Sequence, residues 1–192
     1  MKQKEKNRGK FFSIFIVVIM TMSVLGFLIG GRNSGEQKLK YNDITFTRKD
    51  NTWVALINDR QLVFDYFPEQ VENINISQEI INKLNTLEID TTYDLNDSFA
   101  EGIALSQYRF QQNIGAITNI YVRQGLTSNN TFNLPILTCE NATDFVPVIY
   151  FKQSNETKIY SENKCIIIEA DSEAGFLIAK DRLLYGYFKI IK

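Results

Sequence analysis

The longest uncharged and largely apolar segment of the chain begins at Phe11 and ends at Gly31. At a helical rise of about 1.5 Å per residue it would be about 30 Å long, which matches the hydrocarbon core of a bilayer. Five basic residues and one glutamate precede it. This excess of positive charge favours a cytoplasmic N-terminus and an extracytoplasmic position for the rest of the chain. We therefore interpret 1–10 as a cytoplasmic tail and 11–31 as a transmembrane signal anchor.

A cleaved signal peptide is the alternative interpretation of this segment. The apolar region of a signal peptide usually spans about 7 to 15 residues and ends in an Ala-x-Ala-like site. Residues 23–35 contain no alanine, although their small residues leave cleavage open, and the absence of a cysteine there excludes a lipoprotein anchor. Gly26 and Gly30 either allow two membrane helices to approach closely or lie in a fraying helix end. The length of the segment favours the uncleaved anchor.

Short apolar runs alternate with polar turns in the next part of the chain. Residues 32–42 are polar and contain glycine, which predicts a linker between the membrane and a folded domain over 43–192. Three runs then have the alternation of β-strands and are separated by Asn- and Asp-containing turns, which predicts a meander. The three runs are 44–47, 53–57 and 62–67.

Helical and strand periods alternate after the meander. Ser77 is predicted to cap a short helix, and the capping box Ser98 to Glu101 is predicted to open a longer one that ends near Gly115. Predicted strands at 87–95 and 116–122 flank this longer helix, which indicates a βαβ unit with parallel strands. Further strands are predicted at 74–76, 136–138, 146–151, 158–160 and 164–168.

A last helix is predicted to begin after Asp171 and Ser172. Its apolar residues spread over more than half of its circumference, so we expect it to be largely buried. We interpret Lys180, Asp181 and Arg182 as its solvated polar edge. The elements together predict an α/β domain in which a mixed β-sheet, entered through the antiparallel meander, is covered by two or three helices.

The charge of the chain argues against nucleic acid as a partner. Residues 1–10 hold five of the 21 basic and one of the 22 acidic residues, and 11–31 hold none, which leaves 16 basic and 21 acidic residues for the rest. Nucleic-acid binding depends on neutralising phosphates, and a mildly acidic domain is not suited to it. The partners that we expect are the membrane and either another envelope protein or a second copy of the chain.

Cys139 and Cys165 are the only cysteines. Two cysteines in an oxidising compartment usually pair, which predicts a disulfide, with two free buried thiols as the alternative. A metal site would need further soft or imidazole ligands, and the chain has no histidine. We therefore expect no metal and no cofactor.

Five Asn-x-Ser/Thr sequons follow the predicted anchor, as an exported glycoprotein would have, although each tripeptide alone is weak evidence. Their asparagines are Asn75, Asn96, Asn129, Asn141 and Asn155.

The absence of histidine excludes every catalytic arrangement that depends on one. A membrane-anchored hydrolase or glycan-active enzyme with paired carboxylates remains open as an alternative, because that chemistry needs no histidine. Its candidates are Asp90, Asp94, Asp97 and Glu101, although the last two also fit a helix cap. The missing catalytic residues favour a structural or interaction module of the cell surface. An envelope assembly or chaperone subunit with an exposed apolar groove is the third hypothesis.

Several short motifs follow one another along the domain in a fixed order. They are Leu134 to Thr143 with its Thr-Cys-x-Asn-Ala-Thr segment, Val146 to Ile149, Asn163 to Ile167 with Asn-x-Cys-Ile, and Asp181 to Gly186 with Asp-Arg-Leu-Leu-Tyr. With Trp53 and Phe67-Pro68, this order resembles uncharacterised single-pass membrane-anchored proteins of small-genomed archaea. The resemblance covers most of the domain and carries no established activity. It implies an exported domain with Cys139 and Cys165 paired.

Overall fold

The computed structural model of the chain describes residues 12–24, 37–129 and 131–191. It divides into two compact units, Met1–Gln37 and Lys38–Lys192.

In the first unit, residues 12–24 form helix α1 with exposed side chains. The hydroxyl of Thr21 donates to the carbonyls of Val17 and Val18, both at 3.0 Å, so this polar group is satisfied by the helix itself. No helix within the described residues has both the length and the apolar character needed to cross a membrane. The ends of the predicted anchor 11–31 and the whole predicted tail 1–10 lie outside the described residues, so the anchor stays a prediction.

The second unit begins with a four-stranded antiparallel sheet in the order β1-β2-β3-β4. Its strands are β1 (Lys38–Tyr41), β2 (Ile44–Lys49), β3 (Thr52–Ile57) and β4 (Arg60–Phe64). Asn42, Asp50, Asn58 and Asp59 in its turns have φ between 50° and 59°. Asparagine and aspartate tolerate this left-handed conformation better than other non-glycine residues, so the hairpins are tight.

The meander is confirmed, but it has one strand more than the sequence predicts. β1 lies within 32–42, the segment that we expected to be a linker. The Asn42-Asp43 turn between Tyr41 and Ile44 pairs β1 with β2 in register. A short strand rich in lysine has little apolar signal of its own, which is why the hydrophobic pattern does not reveal it.

The second sheet has five strands in the order β6-β5-β7-β9-β8. Strands β6, β5, β7 and β9 are parallel to one another, and β8 pairs antiparallel with β9 at the edge of the sheet. The strands are β5 (Glu88–Tyr93), β6 (Tyr121–Gln124), β7 (Val148–Gln153), β8 (Lys158–Glu162) and β9 (Cys165–Ala170). The predicted βαβ unit is confirmed, because β5 and β6 pair in parallel.

The α/β class is confirmed, with the correction that the meander forms a sheet of its own. The helices of this unit are α2 (Gln78–Lys83), α3 (Ala100–Ile117) and α4 (Glu173–Tyr187), with short 3-10 helices at Pro68–Gln70 and Cys139–Asn141. Helix α3 contacts β4 of the first sheet and β5 and β6 of the second, and α4 packs beside α3 and on β9. The ring of Phe64 stacks on that of Tyr185 at 4.4 Å between centroids. One apolar core therefore joins both sheets through the helices.

Two of the three predicted helix caps are confirmed. The hydroxyl of Ser77 accepts from the N–H of Ile80 at 3.4 Å, and that of Ser172 accepts from the N–H of Gly175 at 3.1 Å.

The predicted capping box at Ser98 to Glu101 is wrong. Phe99 occupies the N-cap of α3 without a side-chain cap. The Ser98 hydroxyl instead donates to Oε1 of Gln153 at 2.6 Å, and the Asp97 carboxylate accepts from the N–H groups of Phe99 and Gln153, both at 2.9 Å. These side chains tie the loop after β5 to the end of β7, and this long-range contact displaces the local cap.

Other boundaries also differ from the prediction. Helix α3 continues past Gly115 to Ile117, so the following strand starts only at Tyr121. Residues 74–76 form no strand, and 136–138 retain only one parallel bridge, between Leu126 and Ile136.

The structure contains the predicted disulfide. The sulfurs of Cys139 and Cys165 are 2.07 Å apart and their Cα atoms 5.3 Å apart. Cys165 begins β9, and its side chain packs with Val148 and Ile167 in a small apolar cluster. Ile166 belongs to the main core instead, so the disulfide lies on the face of the sheet opposite to that core.

Candidate functional site

The candidate carboxylates of the sequence are engaged in structural contacts. Asp90 is 1% exposed, and its two oxygens accept from Nε and Nη2 of Arg123 at 2.8 and 2.7 Å. The two residues face each other in the register of β5 and β6, so this bidentate pair fastens neighbouring strands. It also raises the pKa of the Arg123 guanidinium.

The other three acidic candidates lie near the carboxyl end of β5. Oδ1 of Asp94 accepts from the N–H of Asn96 at 2.9 Å in a local turn, Asp97 bridges to β7 as described, and Glu101 is exposed on α3. None of the four candidates lines either of the two cavities described below. The structure does not gather them into a catalytic pair.

The sequon asparagines all lie at exposed positions. Oδ1 of Asn141 accepts from the N–H of Thr138 at 2.8 Å, so this amide is engaged in a cap. Asn75 lines a large cavity that is described below. Glycosylation of the five sites stays a prediction.

The interpretation of Lys180, Asp181 and Arg182 as a solvated edge is wrong. Lys180 and Asp181 are 0% exposed and Arg182 is 6% exposed. Three consecutive helical residues span about 200° of the helix surface, so they cannot share one edge of a helix that is buried over most of its circumference. Their partners come from distant parts of the chain, and the sequence pattern does not show them.

Lys180 belongs to a largely buried cluster of four charges. Its Nζ lies 2.9 Å from Oδ2 of Asp65 and also contacts Oδ1 of Asp181. Arg109 pairs with the other oxygen of Asp65. Two cations thus face two carboxylates, and the cluster is neutral when both carboxylates are ionised.

Asp181 holds the chain that follows β4. Its Oδ2 accepts from the backbone N–H groups of Asp65 and Tyr66 at 2.7 and 2.8 Å. The Tyr185 hydroxyl donates to the carbonyl of Tyr66 at 2.6 Å. Burial raises the pKa of Asp181 to about 6, although the charge and hydrogen bond of Lys180 act in the opposite direction. Because every member of the cluster is used in joining β4 to α3 and α4, we assign it a structural role.

A second network lies on the five-stranded sheet around Glu169. The carboxylate contacts Nζ of Lys152 at 2.9 Å and Nζ of Lys158 at 3.1 Å, and it accepts from the Tyr160 hydroxyl at 2.9 Å. Burial opposes ionisation, but these three donors outweigh it and lower the pKa of Glu169 to about 2. The network links β7, β8 and β9 at the surface.

A large cavity lies between β1, the segment that precedes α2 and the end of α4. It has a volume of about 920 Å³, within the range of small-molecule sites. We call it the Arg182 cleft. It is lined by Tyr41, Asn42, Asp43, Ile44, Glu72, Asn75, Arg182, Lys189, Ile190 and Ile191.

Arg182 is the most buried charged residue of this cleft. Its Nε donates to the carbonyl of Ile74 at 2.9 Å, which fixes the guanidinium plane. Burial lowers the pKa of Arg182, and the nearby groups Tyr41 and Glu72 act against that shift. No carboxylate of the described part of the chain forms an ion pair with Arg182. Lys180 and Arg123, in contrast, are both paired.

Tyr41 and Glu72 also line the cleft. The Tyr41 hydroxyl donates to Oε1 of Glu72. Burial and this hydrogen bond raise the pKa of Tyr41 to about 12, so the hydroxyl keeps its proton at neutral pH. The amide of Asn42 donates to the carbonyl of Ile190 at 3.1 Å, which connects the β1–β2 turn to the residues after α4.

Lys189 stands at the end of α4 in a left-handed conformation with φ of 58°. Its N–H bonds to the carbonyl of Gly186 at 3.0 Å, and the N–H of Ile190 bonds to that of Tyr185 at 2.8 Å. Glycine is the usual residue at this position of a helix end, because other residues are strained there. The lysine side chain nevertheless lines the cleft.

A smaller cavity of about 280 Å³ adjoins the Arg182 cleft and shares Arg182, Lys189 and Ile191 with it. We call it the isoleucine cavity. Its remaining lining residues are Ile76, Gln78, Ile81 and Gly186. A Cβ atom at Gly186 would lie 2.7 Å from Cδ1 of Ile81, so the absence of a side chain there lets Ile81 pack closely against α4 in the wall of this cavity.

Comparison with known proteins finds no matching family model, no matching curated protein and no matching solved structure.

Sequence reasoning misses the Arg182 cleft because its residues come from the two ends of the domain. Two local signals point to it in retrospect. Arg182 is a charge within a helix whose apolar residues spread over more than half of its circumference, and Lys189 occupies the place where a helix end normally has glycine. Only the fold brings Arg182 and Lys189 into one cavity with Tyr41 and Glu72.

Proposed function

We propose that the chain is a membrane-anchored extracytoplasmic binding module of the cell surface whose ligand site is the Arg182 cleft. The observation that carries this proposal is the buried guanidinium of Arg182, which lines an open cavity and has no ion-pair partner in the described part of the chain. A buried charge without an ion-pair partner is costly, and an anionic group of a ligand in the cleft would supply that partner.

The extracytoplasmic part of the proposal has separate support. The uncharged segment 11–31 has the length and the preceding positive charge of a signal anchor. The disulfide between Cys139 and Cys165 is of the kind that persists outside the cytosol, and the five sequon asparagines are exposed.

A binding role fits the domain better than the carboxylate enzyme that the sequence leaves open. Asp90 is paired with Arg123, and the oxygens of Asp94 and Asp97 accept backbone hydrogen bonds. A general acid or base needs a carboxyl group that can exchange protons with a substrate in a pocket.

Site-specific photo-crosslinking in intact cells tests the proposal. A photoreactive amino acid replaces Asp43, an exposed residue of the β1–β2 turn that lines the cleft. The matched control replaces Asp59, an exposed residue of the β3–β4 turn that does not line it. We expect an adduct of defined mass from position 43 and none from position 59. Identical products from both positions, or none from either, would overturn the proposal.

A further inference from the structure

We propose that the Arg182 cleft binds a zwitterionic α-amino acid with an aliphatic side chain. In this arrangement the carboxylate of the ligand contacts Arg182, its ammonium group contacts Glu72, and its side chain enters the isoleucine cavity. The inference rests on the proposed function, because it names the ligand of the same site.

The charges of the cleft favour a ligand that carries both signs. Arg182 and Lys189 contribute two positive charges, and Asp43 and Glu72 contribute two negative ones. A purely anionic ligand would meet the two carboxylates, and a purely cationic one would meet Arg182 and Lys189. Because interfaces match potentials of opposite sign, a neutral zwitterion suits this cleft best.

The carboxylate of the ligand is assigned to Arg182 because of the geometry of the guanidinium. Its Nε is held by the carbonyl of Ile74 at 2.9 Å, and the group lines both cavities. A planar guanidinium binds a carboxylate through two parallel hydrogen bonds. Its burial strengthens such an interaction, because water screens it little.

Lys189 adds a second positive charge to the lining of the cleft. Its backbone has a left-handed conformation with φ of 58°, which glycine adopts with less strain than lysine does. A ligand contact accounts for a lysine at this strained position.

The ammonium group of the ligand is assigned to Glu72. One oxygen of this carboxylate already accepts from the hydroxyl of Tyr41, which orients the group, and the other oxygen remains for a donor from the cleft. Glu72 lies close enough to Arg182 for its negative charge to raise the pKa of the guanidinium. The two ends of one small zwitterion therefore find opposite charges within one cavity.

The side chain of the ligand is assigned to the isoleucine cavity. Its walls include Ile76, Ile81 and Ile191, and Arg182 lies at its junction with the cleft. The volume of about 280 Å³ suits a short aliphatic group rather than the acyl chains of a zwitterionic lipid. Gly186 completes the wall, because it lets Ile81 pack closely against α4.

Calorimetric titration of the full chain in detergent micelles tests the assignment, with the chain produced in a host that does not glycosylate Asn75. L-Leucine is the ligand, and three analogues each lack one recognised group. Glycine lacks the aliphatic side chain, N-acetyl-leucine lacks the ammonium group, and leucinamide lacks the carboxylate. We expect saturable binding of leucine and affinities for the analogues that are at least about tenfold lower.

Two variants identify the contacts. Glu72→Gln should abolish the preference for leucine over N-acetyl-leucine, whereas Glu79→Gln on α2, which does not line the cleft, should leave it unchanged. Lys189→Gly should weaken leucine binding about tenfold while the melting temperature stays the same or rises, because glycine relieves the left-handed strain. A loss of binding through unfolding would lower that temperature instead.

Absence of leucine binding, equal affinity for leucine and its analogues, or an unchanged preference in Glu72→Gln would overturn the ligand assignment. The proposed function has its own outcome, because photo-crosslinking from position 43 does not depend on leucine. An adduct at that position without leucine binding would overturn only the amino-acid ligand.

Discussion

The side-chain amide of Asn113 pairs with both backbone polar groups of Val63. Its Oδ1 accepts from the N–H of Val63 at 3.1 Å, and its Nδ2 donates to the carbonyl at 2.8 Å. Val63 lies on β4, the last strand of the antiparallel sheet, whose outer edge has no neighbouring strand among the residues that the structure describes. An asparagine on α3 therefore replaces part of a strand and joins the two sheets of the domain.

Replacing Asn113 should weaken this connection. Asn113→Ala leaves an N–H and a carbonyl of β4 without their partners, and we expect the free energy of unfolding to fall by about 1 to 3 kcal/mol. The neighbouring Gln112 is exposed, so Gln112→Ala should change it by less than about 0.5 kcal/mol. Chemical denaturation of both variants measures the difference, and equal effects would argue against a special role for the Asn113 amide.

Lys180→Met tests the burial of charge in α4. The variant leaves the carboxylates of Asp65 and Asp181 without their shared cation. We therefore expect the free energy of unfolding at pH 7 to fall by about 3 to 5 kcal/mol. Lys164 forms an exposed pair with Asp144 at 3.0 Å, so the same substitution there should cost less than about 1 kcal/mol. A small effect at both positions would support the solvated edge that the sequence suggests.

The pKa of Asp181 predicts a pH dependence of stability with a definite sign. Its folded-state pKa of about 6 lies above the ordinary 3.8, so the folded chain holds this proton more tightly than the unfolded chain. The resulting stabilisation is complete below about pH 3.8 and is lost as the pH rises through about 6. A shift of this size corresponds to about 3 kcal/mol. We expect Asp181→Asn, whose amide does not titrate, to flatten the decline in the free energy of unfolding between pH 4 and 6.

Glu169 should give the free energy of unfolding the opposite dependence on pH, in a more acidic range. Its folded-state pKa of about 2 lies below the ordinary 4.5, so its contribution is present above pH 4.5 and is lost as the pH falls toward 2. Glu169→Gln should flatten the pH dependence of the free energy of unfolding only in this acidic range. Unfolding free energies measured from pH 2 to 7 separate the two limbs, and the same change of slope in both variants would contradict the assignments.

The disulfide should stabilise the domain mainly by restricting the unfolded chain. Cys139 and Cys165 are separated by 26 positions. A loop of this size corresponds to about 3.5 kcal/mol in the chain-entropy model. We expect Cys139→Ala to lower the free energy of unfolding by about 2 to 5 kcal/mol, and the double alanine variant to cost little more. Additive losses, or two free thiols in the non-reduced protein by mass spectrometry, would contradict a structural disulfide.

Local sequence signals predict the elements that depend on neighbouring residues. The caps at Ser77 and Ser172 each need only a hydroxyl three residues before a free N–H, and both are correct. The alternating meander strands and the βαβ unit follow from periodicity within short windows. The disulfide follows from the two cysteines of the sequence and from the expectation that the domain is exported.

Features that depend on distant residues are not predicted. The cap at Ser98 fails because Gln153, 55 positions later, engages its hydroxyl. Lys180 is buried because Asp65, 115 positions earlier, supplies a counter-charge. The Arg182 cleft requires the first strand and the last helix of the domain to meet. A charged residue alone indicates a solvated position, and only the fold brings its partner beside it.

The side of the membrane on which the domain lies tests the central proposal most directly, because an outward-facing binding module requires it. The full chain is expressed in intact cells with one epitope before residue 1 and another after residue 192, and protease is added outside. We predict that the C-terminal epitope is removed while the N-terminal epitope is spared, as the positive charge before the segment 11–31 implies. A C-terminal epitope that is digested only after the cells are lysed would contradict the extracytoplasmic position and the function built on it.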